Sequence, residues 1–392
     1  MFGIRSHHAG AFKWPSNPTD TETVGRLRLT LLCGVFSAAT AFSTPALAAD
    51  PADTPAPPAA VALPVVATAR PGANWAASQI ASVVVARVMG PDVASFRPDD
   101  PLTRGELHDA LVALGKPHAA PTDRSRLVTM RELDAQLVAA AGLLPSARQI
   151  RLAAQAGGLE PTDMLGTETI ARLLGLRINH PAGQEDLERS PKQPASRAEA
   201  AYSLAKLRLL DAARIDAVRQ VAATFSVPAL GEWQRLVLSR ALRFVGYPYV
   251  FAGTSEKPQT IWSTGAPNNQ LAVPGGFDCS GFVWRVFKLQ PYEGAPSLAD
   301  VLKGRTTYAM SGEVGKAKRI APELVQPGDV LFFGGHGTQS KPSEIGHSGI
   351  YVGNGWFVHS SSGGVTLQPL QGWYADEFAW GRRPLAEAGL TA

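Results

Sequence analysis

The chain has 392 residues, 45% of them hydrophobic and 18% charged, with a formal net charge of +4 and a pI near 9.1. That length accommodates two globular domains. The mild positive balance suits anionic polymers, but no Lys/Arg run points to nucleic acid, which is excluded as a partner.

Gly25-Arg-Leu-Arg28 supplies positive charge ahead of Leu29 to Leu47 (LTLLCGVFSAATAFSTPAL), an apolar run broken by Thr, Ser and Pro. Ala46-Leu47-Ala48 is a small-residue cleavage signal of the A-x-A kind, so residues 1–48 read as a signal peptide. A membrane anchor needs about 20 uninterrupted apolar residues. The Ser43-Thr44-Pro45 break fits cleavage better. The mature chain is therefore expected to be exported, without a membrane span, to the periplasm or cell envelope. Cys33 is rejected as a lipidation site, because Thr30-Leu31-Leu32 lacks the small residue such sites place before the cysteine. Cleavage removes Cys33 and leaves Cys279 alone, unable to form an intramolecular disulfide. Such a thiol is reactive, pairs between molecules, or is a buried small hydrophobe, and its surroundings must decide.

Residues 49–72 (ADPADTPAPPAAVALPVVATARPG) are rich in Pro and Ala without a period and read as a semi-rigid tether. Residues 73–225 are rich in Ala, Leu and Arg at helical spacing, as in Leu133, Leu137 and Ala140, and predict an all-α domain. A weak repeat lies inside it: Leu102-Thr-Arg-Gly-Glu-Leu107, Val128-Thr-Met-Arg-Glu-Leu133 and Ala195-Ser-Arg-Ala-Glu-Ala200. Each has the capping-box pattern, a hydroxyl that accepts from an early helix amide and a Glu three residues on that returns the bond. Ordinary helix starts would look the same. The stretch Phe96-Arg-Pro-Asp-Asp-Pro-Leu-Thr-Arg-Gly-Glu106 resembles the S-layer homology repeat, which implies a helical module with envelope polysaccharide as a further ligand. From Trp233 glycine, aromatics and short apolar runs replace the alanine-rich helices, which places a boundary near Ser226-Val-Pro-Ala-Leu230 and a second domain over 226–392.

In that second domain Phe277-Asp-Cys-Ser-Gly-Phe-Val-Trp-Arg-Val-Phe287 sets Cys279 at a helix start. Asp278 or Ser280 can cap it, while Phe282, Val283, Val286 and Phe287 bury one face. The positive end of the helix and its free amides favour thiolate there and could hold an oxyanion. A nucleophilic cysteine needs a base. Residues 346–360 (GHSGIYVGNGWFVHS) predict a β-hairpin with one histidine on each strand. With a two-residue Asn354-Gly355 loop, His359 pairs with Ile350 and points away from His347. With a three-residue loop, Val352 pairs with Trp356, His359 pairs with Gly349, and the two imidazoles share a face. Cooperation between them therefore requires the longer loop, with Gly355 left-handed and Gly349 leaving room. His347 would then take the thiol proton and His359 would fix its tautomer.

The chain here resembles the NlpC-type cell-wall cysteine peptidases from about residue 236 to 383. The motifs, in that family's order, are Gly246-Tyr-Pro-Tyr-Val-Phe-Ala-Gly253, Asp278-Cys-Ser-Gly281, Pro327-Gly-Asp329, Gly346-His-Ser-Gly-Ile-Tyr-Val-Gly353 and Phe357-Val-His359. The resemblance implies a papain-like α+β catalytic domain that hydrolyses peptidoglycan stem peptides through a thioester, cutting after D-glutamate. Cys279 would be nucleophile, His347 base, His359 orienting residue and Tyr249 an aid to the oxyanion. Asp278 and Ser280 either meet a substrate amine or serve as caps. The Asp329 carboxylate reads as structural, in a turn entering a strand. Residues 254–276 depart from the family pattern and are expected to form a loop beside the cleft. The competing readings are an amidase of the related CHAP type and a non-catalytic wall-binding protein. A metal site from Cys279, His336, His347 and His359 matches no zinc spacing, and no cofactor is required.

Overall fold

The computed structural model describes residues 74–390, apart from 117–118, 182 and 265. The expected signal peptide and tether lie outside the described residues. Helices come first and an antiparallel sheet with flanking helices follows, the α+β arrangement expected. Among the described residues no helix is long and apolar enough to cross a membrane.

The first region holds α1 (Ala77–Val85), α2 (Arg104–Ala113), α3 (Met130–Ala140), α4 (Leu144–Ala156), α5 (Leu165–Leu173), α6 (Arg197–Arg208) and α7 (Ala212–Ala223). The three repeat segments open α2, α3 and α6. At α2 the box closes both ways: Glu106 N–H donates to Thr103 Oγ1 at 3.2 Å, and Thr103 N–H donates to the Glu106 carboxylate at 2.9 Å. At α3 the Glu132 carboxylate takes the Thr129 N–H at 2.9 Å. At α6 only the forward half forms, with Glu199 N–H on Ser196 Oγ at 3.1 Å. The Glu199 side chain turns inward instead and lies 3.6 Å from His180.

The residues just before these caps close a ring. Leu102 N–H donates to Ala195 O (2.8 Å), Ala195 N–H to Val128 O (2.8 Å) and Val128 N–H to Leu102 O (2.9 Å). Each segment thus satisfies a backbone group of the next, so three short extended pieces that could not pair alone are held together. Side chains reinforce the ring. Arg104 donates to Glu132 at 2.8 Å, and Arg197 pairs with Glu106 and donates to Phe96 O at 2.8 Å. The third copy of this link is missing because Met130 stands where the other two segments have arginine. That substitution is why Glu199 is free to face His180.

The second region contains α8 (Glu232–Leu242), β1 (Thr254–Ser255), β2 (Gln259–Trp262), β3 (Gln270–Val273), β4 (Gly276–Phe277), α9 (Cys279–Phe287), α10 (Leu298–Val301), α11 (Thr307–Gly312), β5 (Val330–Gly334), β6 (Ile345–Gly353), β7 (Trp356–Ser361), β8 (Gly364–Pro369), α12 (Trp373–Asp376), β9 (Phe378–Arg382) and α13 (Pro384–Glu387). The main sheet is antiparallel in the order β8-β7-β6-β5-β9. Helix α9 packs across β6 and β7 with Phe282, Val283, Val286 and Phe287 fully buried, the face its spacing predicts. Residues 254–276 are not a loop. They fold as two nested ladders, β1 with β4 and β2 with β3, because Gln259 bridges Thr254 N–H and Gly276 O, both at 2.9 Å. Glu256 then grips Arg285 of α9 through two bonds of 2.6 and 2.7 Å.

The expected boundary falls in the extended segment between α7 and α8. Side chains cross it in both directions. Arg172 of α5 donates to Gly246 O at 2.9 Å, and Asn179 donates to Tyr249 O at 3.3 Å. Thr224 accepts from Trp356 Nε1 at 3.2 Å, and Ser226 Oγ accepts from Asn354 at 2.9 Å. The helical region therefore holds both the Tyr249 segment and the β6–β7 turn.

If the ring and its arginine links are one cooperative unit, Arg197→Met should cost about 2 kcal/mol, the worth of a buried hydrogen bond to a charged group. Urea unfolding followed by far-ultraviolet circular dichroism measures it.

Candidate active site

The β6–β7 hairpin delivers the two histidines, by a route other than the expected one. The connection is the two-residue turn Asn354-Gly355, with φ of 49° and 78°, the paired left-handed conformation of a type I′ turn. Gly353 pairs with Trp356, yet Tyr351 pairs with Phe357 and Gly349 with His359. The lost residue is Val352, which bulges out of the ladder. The bulge shifts the register by one and does what a three-residue loop would have done. Val352 does not pair with Trp356, a correction to the expected hairpin, while Gly355 is left-handed as expected.

His347 and His359 consequently lie diagonally on one face, with His347 Nε2 and His359 Nδ1 2.8 Å apart. Gly349 is required between them: a Cβ there would meet His359 Cβ at 2.9 Å and Phe357 Cδ2 at 2.8 Å. Phe357 stacks on the His359 ring at 4.5 Å, and Phe333 backs His347 at 5.6 Å. His359 is fully buried and His347 partly so. Loss of hydration pushes the His347 pKa down to about 4. Burial, followed by the neighbouring His347, also lowers His359. Both rings are neutral near pH 7.

Cys279 opens α9 and is 8% exposed. The backbone amides of Ser280 and Ser348 donate toward its sulfur, and Ser348 follows His347 directly on β6. The start of α9 thus abuts the strand that carries His347. Those amides pull the thiol pKa down as anticipated, but burial comes first and the Asp278 charge second, and together they raise it to about 12. The expectation of a resting thiolate is corrected: desolvation outweighs the helix start. Tyr249 is raised by burial and then by Cys279 and Asp278, so its phenol stays protonated and keeps a proton to donate near the thiol.

Asp278 is the cap of α9, its Oδ1 accepting Gly281 N–H at 2.5 Å and the Ser280 hydroxyl at 3.0 Å. Sequence reasoning missed three neighbours. Arg305 forks onto Asp278 from the loop between α10 and α11. Gln368 lies beside His359 and opposes the lowering of its pKa, and Tyr374 bonds with Gln368 and Ser361. The Ser362-Gly363 turn was a usable signal for Gln368, since it sets Phe357 opposite Gln368 and His359 opposite Thr366 on one face. Nothing local marks Arg305. Asp329 is pinned by Arg383 at 2.8 and 2.9 Å, in the strand-entry turn expected of it. His336 is exposed and lies 3.6 Å from Glu344. Among the described residues no three His, Cys, Asp or Glu side chains gather to hold a metal ion.

Residues 246–383 match the model of the NlpC/P60 family. The probable peptidoglycan endopeptidase LytE of Bacillus subtilis (strain 168) is 33% identical over 138 residues, 35% of this chain and 30% of that protein. The bifunctional muramidase/DL-endopeptidase CwlT of the same organism is 30% identical over 144 residues, 36% of this chain and 34% of that protein. A crystal structure of an NlpC/P60 family protein from Bacillus cereus ATCC 10987 is 24% identical with a TM-score of 0.28, covering 41% of this chain and 43% of that one. The chain spans about a third of the length of the curated relatives named here.

Because the histidine pair needs an unfilled Gly349, Gly349→Ala should destabilise the protein by about 1–3 kcal/mol. It should also break the bond between the rings. Urea titration reads the first effect, and imidazole nitrogen chemical shifts of His347 and His359 read the second.

Proposed function

The chain carries an NlpC/P60 domain at residues 246–383, and we propose that it is a cysteine peptidase cleaving the stem peptides of peptidoglycan. The observation that carries this reading is the 2.8 Å histidine pair on the strand whose Ser348 amide meets the Cys279 sulfur. Cys279 Sγ attacks the peptide carbonyl carbon as His347 Nδ1 takes the thiol proton. For Nδ1 to be free, Nε2 must carry a proton and donate it to His359 Nδ1. His359 then holds its own proton at Nε2, on the side of Gln368. The oxyanion is held by amides at the start of α9 and by the Tyr249 hydroxyl. Protonated His347 passes its proton to the leaving amine, and water resolves the thioester along the same path in reverse.

The neutral resting pair means that proton transfer accompanies attack. The bond after D-glutamate is the proposed target, in keeping with a relative named a DL-endopeptidase. Residues 73–225 are proposed as a helical region bound to envelope polysaccharide, with 226–392 as the catalytic region of an exported protein. A second reading, a binding domain without catalysis, draws on the burial of Cys279.

Purified peptidoglycan digested with wild type and with Cys279→Ala, its fragments identified by mass, separates the two. New peptide termini from wild type alone are expected, and identical digests end the peptidase reading. His359→Ala should lower kcat by roughly a hundredfold or more while leaving the thiol in place. A base acts only when unprotonated, above its own pKa. With His347 at about 4, the acid limb of kcat/KM should fall well below 6.5, the ordinary histidine value. A midpoint at or above 6.5 would remove His347 from the role of buried base.

A further inference from the structure

The loop carrying Arg305 is built to aim it at the start of α9. Trp284, five residues beyond Cys279 on the same helix, donates Nε1–H to Gly304 O at 2.7 Å. Lys303 N–H bonds Glu313 at 3.2 Å, and Glu313 is held by Arg382 at 2.7 Å. From this seat Arg305 places Nη1 3.1 Å from Asp278 Oδ1 and Nη2 2.7 Å from Oδ2, and its Nη1 also donates to Ser280 Oγ at 2.6 Å. With Gly281 N–H and the Ser280 hydroxyl also on Oδ1, Asp278 accepts four bonds, about the capacity of a carboxylate. Three of these bonds fall on Oδ1 and one on Oδ2, so the carboxylate is held by both oxygens.

Asp278 is also a buried negative charge one residue from the nucleophile, and negative charge opposes formation of a thiolate. The titratable and charged groups facing the sulfur are Asp278, Arg305, Tyr249 and Tyr374, with His347 on the adjoining strand. Of these Arg305 is the one permanent cation. We infer that Arg305 is a positioning residue, which locks Asp278 as the cap of α9 and cancels its charge so that the Cys279 sulfur can ionise during attack. The functional meaning of the inference rests on Cys279 being the nucleophile.

The test is alkylation of Cys279 by iodoacetamide between about pH 6 and 10, quantified by mass on the peptide containing Cys279. Arg305→Met should slow alkylation about tenfold at each pH, the effect of leaving one unit charge uncompensated nearby. The double variant Arg305→Met with Asp278→Asn removes both charges and should return to within about twofold of wild type. Arg305→Lys keeps the charge without the fork and should fall between. If Arg305→Met does not fold, the double variant and Arg305→Lys carry the comparison, since neither leaves a lone buried charge. An unchanged rate in folded Arg305→Met, or in Arg305→Lys where that alone folds, overturns the inference. So does a double variant tenfold slower than wild type, the result of a merely structural role. Peptidoglycan digestion run in parallel keeps the questions apart: the charge pattern without released fragments would sink the peptidase reading and leave the role of Arg305 standing.

Discussion

One residue of slip in a β-ladder decides whether this protein has a site at all. Strand side chains alternate between faces, so an unbroken β6–β7 ladder with its two-residue turn would set His347 and His359 on opposite sides. Val352 leaves the ladder and the rings come to 2.8 Å. The bulge is held from outside. A Cβ on Gly353 would strike Pro228 at 2.5 Å, Ser226 accepts from Asn354, and the Trp356 indole bonds Thr224 and packs on Phe225 at 5.1 Å. The segment joining the two regions thus acts as a clamp on the turn, and through the turn it sets the histidine register.

The electrostatics of the thiol are a contest among four effects. Burial and Asp278 oppose ionisation, while the amides of Ser348 and Ser280 and the Arg305 guanidinium favour it. Burial is the largest and keeps the resting sulfur protonated. This arrangement has a chemical consequence. A thiol that stays neutral until a base removes its proton is protected from adventitious oxidation, which attacks thiolates. The same desolvation keeps His347 unprotonated and ready to accept. Burial therefore favours the neutral form of both groups.

The helical region obeys a different logic. Its three repeat segments cross in a ring of backbone bonds, each capping a helix and satisfying its neighbour. Two of the three arginine–glutamate links are intact, and the third is interrupted by Met130, beside which Arg177 and Glu199 gather. Buried ionisable side chains also lie in the interior, where Asp134 is 3.5 Å from Arg177. The same region reaches the second through Arg172 of α5 on Gly246 O and Asn179 on Tyr249 O, so it bears on the segment that carries Tyr249.

What the sequence by itself determined is whatever depends on near neighbours. The amphipathic spacing of α9, the capping residues at Thr103, Thr129 and Ser196, a cap of α9 at Asp278 or Ser280, and the helix-then-sheet order could all be read locally, while the resemblance to a known family singled out Tyr249 beside Cys279, His347 and His359. Hydrophobic periodicity and capping act over three or four positions, which is why they survive translation into text. Tertiary structure decided the rest. A bulge at Val352 has no signature in alternation, because it is stabilised by contacts with Pro228 and Ser226 more than a hundred residues away. Arg305, 27 residues from its partner Asp278 in a loop without a pattern, became visible only once the chain had folded back on itself. The ionisation of Cys279 belongs to the same class, since desolvation is a sum over everything packed around a group.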